Sequence, residues 1–474
     1  MNIPHPPAPL TEKKYVLPFT LVTSLFFLWS IGVHLNDVLV PHFKKAFDLS
    51  DFQSSFIQVA FFGGYFLAAL PAGRLMEKIG YKNGILTGLL ICAAGTLLFL
   101  PAASSRQYVF FLLALFVMSS GQSFLEVGAN PYVTVLGPPE TAARRINFAQ
   151  SFNAVGSTLV PVFGAAFILS GVEYTAAQRA AMTPQQLQAY ITSEANMVRV
   201  PYLVITVIFL SVAALIYFSH LPEVHAPQSS VSKPTASANS TNRKDRLLAH
   251  PHLFKGILAQ FFYVGAQVGV ASFLIRYAKQ TMPDTLVRMA DWGAQFHSAH
   301  QGAHATFLAQ VIPTSPEKMA AAFLVAHQIG FMIGRFSGSW MMKRIAAPRL
   351  LAIFGLGALL CAAIGIVNSG LFAVLAIVLV GFFNSIMFPT IFALSLTNLG
   401  PLTKRASSFL VMAIIGGALI PAAMGRVSDA SNIQKALVVP LVGYLYIIYF
   451  AVRGYKPTPV AAFPESANTA AEAK

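Results

Sequence analysis

Charge is what this chain has least of. Only 10% of its 474 residues are Asp, Glu, Lys or Arg, against about 25% in soluble domains. Residues of hydrophobic type make up 55%, and mean hydropathy is +0.63. These values exclude a soluble enzyme carrying a single anchor and point to a membrane protein. Cysteine is nearly missing: Cys92 and Cys361 both lie in apolar runs, and neither has metal-like spacing to His. The chain has no HExxH, no GxSxG and no phosphate-binding glycine loop, so nucleophilic or metal chemistry has no visible home. The expectation is no enzyme, no cofactor and no resident metal. The Pro-rich stretch Met1 to Lys14 has no apolar signal core with a small-residue cleavage site. Acids are scarcer than bases, 17 against 32, giving a net charge of +15. In a soluble protein that surplus would suggest nucleic acid. Here loop lysines and arginines on one membrane side explain it, and no nucleic-acid partner is expected.

Long apolar runs are what the chain does have. About 20 mostly apolar residues cross a bilayer as a helix. By that measure the crossing segments are 16–40, 53–76, 84–102, 107–137, 147–170, 199–219, 253–279, 319–342, 350–367, 371–399, 407–427 and 437–453. Basic residues concentrate in alternate loops, as at Lys78 and Lys82, Arg144 and Arg145, Lys343 and Arg344, and Lys404 and Arg405. Those loops and both termini are expected in the cytoplasm. The stretch from Glu223 to Asp245 is rich in Ser, Pro, Thr and Asn and reads as a linker. The expected organisation is a cytoplasmic tail, 1–15, then a six-helix bundle over 16–220 and a linker over 221–250. A second bundle follows over 251–455, with an extended external segment at 280–317, and a tail ends the chain at 456–474.

The two halves echo each other. Gly73-Arg74 through Lys82 is answered by Gly334-Arg335 through Lys343-Arg344. Asn130-Pro131 with Leu136-Gly137-Pro138 is answered by Pro389 with Leu399-Gly400-Pro401. Gly156 to Pro161 is answered by Gly416 to Pro421. Three matches in one order imply a duplicated unit, and parallel repeats with a binding site between them mark the major facilitator fold. The expected class is therefore all-α, with twelve transmembrane helices in two pseudo-symmetric bundles. Gly73, Arg74, Lys82 and Arg335 are expected to gate or brace the domains.

Glu126 lies inside the run from Tyr108 to Leu136 with no Lys or Arg nearby in sequence. An acid at a helix centre costs roughly 2.5–3.5 kcal/mol on insertion scales. It is kept where it faces a protein-lined or watery interior, and the default reading is a proton or ion relay. Asp37, late in the first segment, is a second such acid. Each has a plainer reading: Glu126 as a structural acid paired with a distant base such as Arg276, and Asp37 as a residue reaching the outer interface. Burial favours the neutral form of a carboxyl group, which brings proton exchange within reach.

Polar residues three or four apart share a helix face. Ser30, His34 and Asp37 form one such stripe, Gln122, Glu126 and Asn130 another. Asn147, Gln150 and Asn153 open the fifth segment; Gln260, Tyr263 and Gln267 line the seventh; Asn384 and Ser385 interrupt the tenth. Each alone could be interhelical glue. Together they favour a cavity for a polar, uncharged solute, since amides both donate and accept and so suit vicinal hydroxyls. Trp29, Phe61, Phe62, Tyr65 and Tyr263 could cover the apolar face of a sugar ring or serve only in packing. His297, His300 and His304 share a face of the external segment, but no carboxylate or thiol completes a ligand set, which favours a solvated amphipathic helix.

Several motifs bear a family likeness. They are Leu35-Asn36-Asp37 with Pro41, Leu125-Glu126 with Ala129 to Gly137, Ala149-Gln150-Ser-Phe-Asn153, Ala259-Gln260 to Gln267, and Ser407 to Gly417. Together they resemble the bacterial L-fucose:proton symporter family, with its glucose/galactose relatives, over nearly the whole chain. The resemblance implies a proton-coupled importer of the bacterial inner membrane that carries a hexose or deoxyhexose, with L-fucose favoured and galactose or glucose as alternatives. It implies that Asp37 and Glu126 couple protons and that Gln150 and Asn153 contact sugar. His34, Asn36, Asn130, Gln260, Tyr263, Gln267 and Asn384 complete the candidate binding set. Some glucose and galactose carriers lack the acid at Glu126, so its presence leans toward the fucose type. His34 stands where an amide is expected. The expected division gives Glu126 the sensing of sugar and Asp37 most of the proton traffic. Sodium-coupled or uncoupled sugar transport on the same fold, or a non-transporting sugar sensor, are the competing readings. The expected partners are a small sugar, protons and the bilayer, with the chain a monomer.

Overall fold

Apolar segments in a bilayer must satisfy every backbone group internally, so spanning segments fold as helices. The computed structural model describes residues 8–46, 51–105, 107–168, 199–222, 249–299 and 313–457, with isolated positions between them. At 33, 35–46, 51–55 and 161–168 it describes the backbone alone. The side chains of Asn36 and Asp37, most of the linker and C-terminal tail, and His300 and His304 lie outside the described residues.

The described elements are helical: α1 (Val16–Ala46), α2 (Asp51–Ser105), α3 (Tyr108–Val135), α4 (Ala142–Ile168), α5 (Arg199–Phe218), α6 (Pro251–Thr281), α7 (Pro283–Ala299), α8 (Pro316–Met341), α9 (Ala347–Val367), α10 (Gly370–Asn384), α11 (Met387–Ser395), α12 (Thr403–Met412), α13 (Gly416–Ala430), α14 (Ile433–Ala436) and α15 (Val438–Tyr449). Among the described residues, 10 stretches are long and apolar enough to cross a membrane. The longest, in α2, turns at Gly80, where φ is 83° and ψ is 176°. Fifty-five residues in one straight helix would run roughly 80 Å, far beyond a ~30 Å hydrocarbon core. Gly80 supplies the positive φ that such a reversal needs. The tenth segment breaks between α10 and α11, where Asn384 and Ser385 interrupt it.

Helices α1 to α5 pack on one another, as do α6 to α15. The two groups meet where α2, α3 and α4 face α8, α11 and α12. Exposed Leu, Val, Ile and Phe cover the outer faces, for example Leu203, Val207 and Leu210 of α5 and Ile353, Leu356 and Leu360 of α9. That is the expected solvent preference when the solvent is lipid.

One end of the molecule gathers the N-terminal segment, Gly80, the α3–α4 turn and the start of α12. It carries Lys82, Arg144, Arg145, Lys404 and Arg405, and is called the basic end below. Arg145 is the brace there. It is fully buried and donates from Nε to the Val133 carbonyl at 2.8 Å. Its Nη1 donates to the carbonyls of Leu10 (3.0 Å) and Pro138 (3.1 Å) and to Thr141 Oγ1 (2.8 Å). Its Nη2 donates to the carbonyls of Thr134 and Gly137. Most of these are the orphan carbonyls that end α3, where a cation is favoured. Thr11 Oγ1 donates to the Leu136 carbonyl at 2.6 Å and pins the N-terminal segment to the same turn. Arg145→Leu would strand several buried carbonyls at about 1–3 kcal/mol each. The expected result is a lower unfolding temperature and a several-fold smaller yield of monodisperse protein in size-exclusion chromatography.

Candidate functional site

Helix α3 brings Gln122, Glu126 and Asn130 to one face, one turn apart, and all three are buried. Tyr65 Oη donates to Gln122 Oε1 at 3.3 Å. A Cβ on Gly32 would come 1.9 Å from Gln122 Nε2, so a glycine in α1 is what lets this amide lie flat. Glu126 is 8% exposed, and its Oε2 is enclosed without a hydrogen-bond partner. Asn130 Oδ1 accepts from Gln150 Nε2 at 2.9 Å, while Asn130 Nδ2 has no partner.

The network continues across the junction of the two helix groups. Arg335 of α8 is 3% exposed and donates from Nη1 to both the side-chain oxygen and the carbonyl of Gln150, at 2.7 and 2.8 Å. Its guanidinium sits 4.7 Å from the centre of the Phe331 ring, a cation–π contact. The Tyr263 hydroxyl lies alongside it, and the charge of Glu126 acts on it from α3. Arg335, Gln150 and Asn130 thus form one chain from α8 through α4 to α3, ending one turn from Glu126. The sequence pattern groups Arg335 with a gating loop; the residue stands inside α8, buried where the two helix groups meet. Arg276, the sequence-based candidate for Glu126's partner, is instead exposed and lies over the Phe273 ring at 4.2 Å. The reason is helical phase: Phe273 and Tyr277 take the buried face of α6 and turn Arg276 outward.

Facing this chain, the second helix group offers a set of buried polar atoms with no hydrogen-bond partner among the described residues. They include both amide atoms of Gln260 and of Asn384, the hydroxyls of Tyr263, Ser385 and Tyr444, and Arg335 Nε. Buried polar groups are normally satisfied, so such a cluster fits a site that a polar solute completes. Gln267 is half-buried on α6. His34 is half-buried on α1. Asn153 donates to the Phe26 carbonyl at 3.2 Å, which is interhelical bonding between α4 and α1. Tyr444, beside Asn384, and Thr390 carry no sequence expectation. Tyr444 reads as one more aromatic in an apolar helix, and only its orphaned hydroxyl reveals it.

Toward the basic end the two groups are in direct contact. Asn147 Nδ2 donates to Thr390 Oγ1 at 3.0 Å, and Ser407 Oγ to the Val127 carbonyl at 3.1 Å. Ser339 Oγ donates to the Arg144 carbonyl at 3.4 Å. The Lys404 ammonium sits 4.5 Å from the centre of the Tyr81 ring. Gly73 is buried against α12, where an added Cβ would meet Ser408 Oγ at 1.8 Å and the Lys404 carbonyl at 3.1 Å. Arg74 is exposed, and Lys82 donates to the Tyr217 and Ser219 carbonyls, at 2.9 and 2.8 Å, at the end of α5. The two helix groups are therefore held together on this side of the buried polar residues. Gly73→Val is expected to force the contact apart. A Cys introduced at Ser407 should then react with a thiol reagent from the basic side in the Gly73→Val background and stay protected without it. Equal protection in both would show that the crossing tolerates the bulk.

Comparison with known proteins fits this geometry. The Major Facilitator Superfamily model matches residues 21–423. The L-fucose-proton symporter of Escherichia coli K12 is 40% identical over 442 residues, covering 93% of each chain. The glucose/galactose transporter of Brucella abortus is 37% identical over 446 residues, 94% of this chain and 96% of that one. The crystal structure of a Major Facilitator Superfamily transporter, FucP, in the outward conformation superposes with a TM-score of 0.79 at 39% identity, covering 94% of this chain and 100% of that one. The chain belongs to the Major Facilitator Superfamily and, within it, to the family of the L-fucose–proton symporter and its glucose/galactose relatives.

Proposed function

We propose that the protein imports a hexose or deoxyhexose together with protons by alternating access, with L-fucose the favoured sugar. The observation that carries this is the buried Glu126, one helical turn from a hydrogen-bonded chain, Asn130–Gln150–Arg335, that ends on a cation in the other half of the molecule. A charge so placed is costly when ionised, and a proton removes the cost. Protonating Glu126 removes the negative charge acting on Arg335 and leaves the guanidinium to hold Gln150. Gln150 and Asn130 are then ordered for sugar hydroxyls, with Gln260, Tyr263 and Asn384 completing the site from the opposite wall. Sugar and proton thereby favour the same state, which is what coupling requires. Asp37 is the second proton site in this reading, and Asn36, His34, Asn153 and Gln267 flank the sugar.

The accompanying architecture is two six-helix halves, 16–220 and 251–455, joined by the linker 221–250. The Gly80 reversal and α4, added to the apolar stretches, give twelve crossings. The basic end and both termini face the cytoplasm, the chamber is open to the outside, and the unit is a monomer. Gly73, Arg74, Lys82 and Arg335 respectively seal, flank, cap and lock the closed side. The test is sugar-driven alkalinisation of the medium around de-energised cells. The assignment predicts that Glu126→Gln or Asp37→Asn abolishes it; intact alkalinisation in both variants contradicts the scheme. Sodium dependence without a proton signal would favour the sodium-coupled alternative, and absence of counterflow in proteoliposomes the sensor.

A further inference from the structure

Helix α7 has no part in the transport scheme. It begins one residue after α6 ends, at the membrane end opposite the basic end, and packs against α8 and α6. Its inner side buries Leu286, Ala290 and Gly293. Its outer side mixes exposed polar groups, Asp284, Arg288, Asp291 and Gln295, with two exposed apolar ones, Trp292 at 58% and Val287. The Trp292 ring packs on Phe296 with centroids 5.6 Å apart. Between α7 and the start of α8 runs a groove of about 400 Å³ lined by Thr285, Arg288, Met289, Trp292, Pro313 and Met319. Arg288 stands at this otherwise apolar groove and, among the described residues, donates to Thr285 Oγ1 at 3.3 Å along its own helix.

A helix that leaves a spanning helix after one residue starts close to the end of that span. Tryptophan is enriched at that depth, and amphipathic helices lie there with the apolar face in the acyl boundary. Arg288 can bind phosphate while its stem lies along apolar surface. Asp284 and Asp291 sit on the same helix, three or four residues to either side of Arg288. The charge pattern is thus positive flanked by negative, the complement of a headgroup that carries a phosphate and an ammonium. We propose that α7 is an interfacial anchor and that its groove with α8 seats one zwitterionic phospholipid of the leaflet opposite the basic end, phosphate on Arg288 and acyl chain against Trp292, Met289 and Met319. This stands independently of which solute the protein carries.

The chain's three tryptophans make the test direct, because Trp29→Phe and Trp340→Phe leave Trp292 as the only reporter. The full-length variant would be reconstituted in phosphatidylethanolamine vesicles containing phosphatidylcholine brominated near the top of the acyl chain. The expected result is loss of more than half the Trp292 emission to the bromolipid, with iodide quenching several-fold weaker than for free tryptophan. Arg288→Ala should also lower the phosphatidylethanolamine retained by the purified protein in native mass spectrometry by several-fold. Iodide quenching as strong as for free tryptophan, without bromolipid quenching, would mean the groove faces water and overturn the proposal. Protection from both quenchers would mean that residues 300–312 or a second copy cover it, and overturns it equally. If the double variant does not fold, Trp292→Cys carrying a polarity-sensitive fluorophore gives the same reading, since Cys92 and Cys361 are buried.

Discussion

Arg335→Ala is expected to lose sugar counterflow by about 10²–10³-fold. A hydrogen bond involving a charged group is worth about 1.5–3 kcal/mol, and Arg335 makes two of them to Gln150 while its charge acts on Glu126. Their removal unties the Gln150–Asn130 pair and takes away the cation whose charge acts on Glu126. Binding and exchange should fall together, because the same link orders the sugar site and balances the acid. Arg335→Lys should recover part of the exchange: a lysine keeps the charge but presents a point donor where the guanidinium holds two oxygens in a fixed plane. Counterflow assays in proteoliposomes, with the unfolding temperature measured on the same preparations, separate this from simple misfolding. Near-normal exchange in Arg335→Ala would show that the guanidinium only fills space.

Glu126→Gln is expected to do something different. The variant is frozen in the neutral form, so sugar can still bind and exchange, but occupancy no longer alters proton affinity. Each pH unit is worth about 1.36 kcal/mol. An imposed gradient of two units can therefore sustain roughly 100-fold accumulation for one proton per sugar. In Glu126→Gln that ratio should fall to about one while counterflow persists within a few-fold of the parent. The split is diagnostic, because a purely structural acid would lose both activities or neither.

The amide stripes and the break at Asn384 were legible because polarity at hydrocarbon depth is expensive and so leaves a mark at helical spacing. The close crossing at Gly73 and the reversal near Gly80 were marked by loop residues between apolar runs. The burial of Arg335 was hidden for a geometrical reason. The repeat that names it runs on to Lys343 and Arg344, yet eight residues at 1.5 Å each set it roughly 12 Å deeper in the helix. Arg276 failed as a partner through helical phase, which a sequence shows only when both faces of the helix are read together. Lys82 caps the carbonyls of a helix far along the chain, a contact that no local pattern encodes. Tyr444 and Thr390 reveal themselves only through the atoms they face. The Arg145 brace was invisible for the same reason: its partners are backbone oxygens, which every residue has.

The account turns on a single linkage: filling the amide chamber must draw a proton onto Glu126. Proton uptake by purified protein on addition of L-fucose, galactose or glucose in weakly buffered solution, followed with a pH indicator dye, measures it directly. The account predicts a stoichiometric uptake with the transported sugar, lost in Glu126→Gln although that variant still binds. Sugar binding without any uptake in the parent, or with the same uptake in the variant, would contradict it.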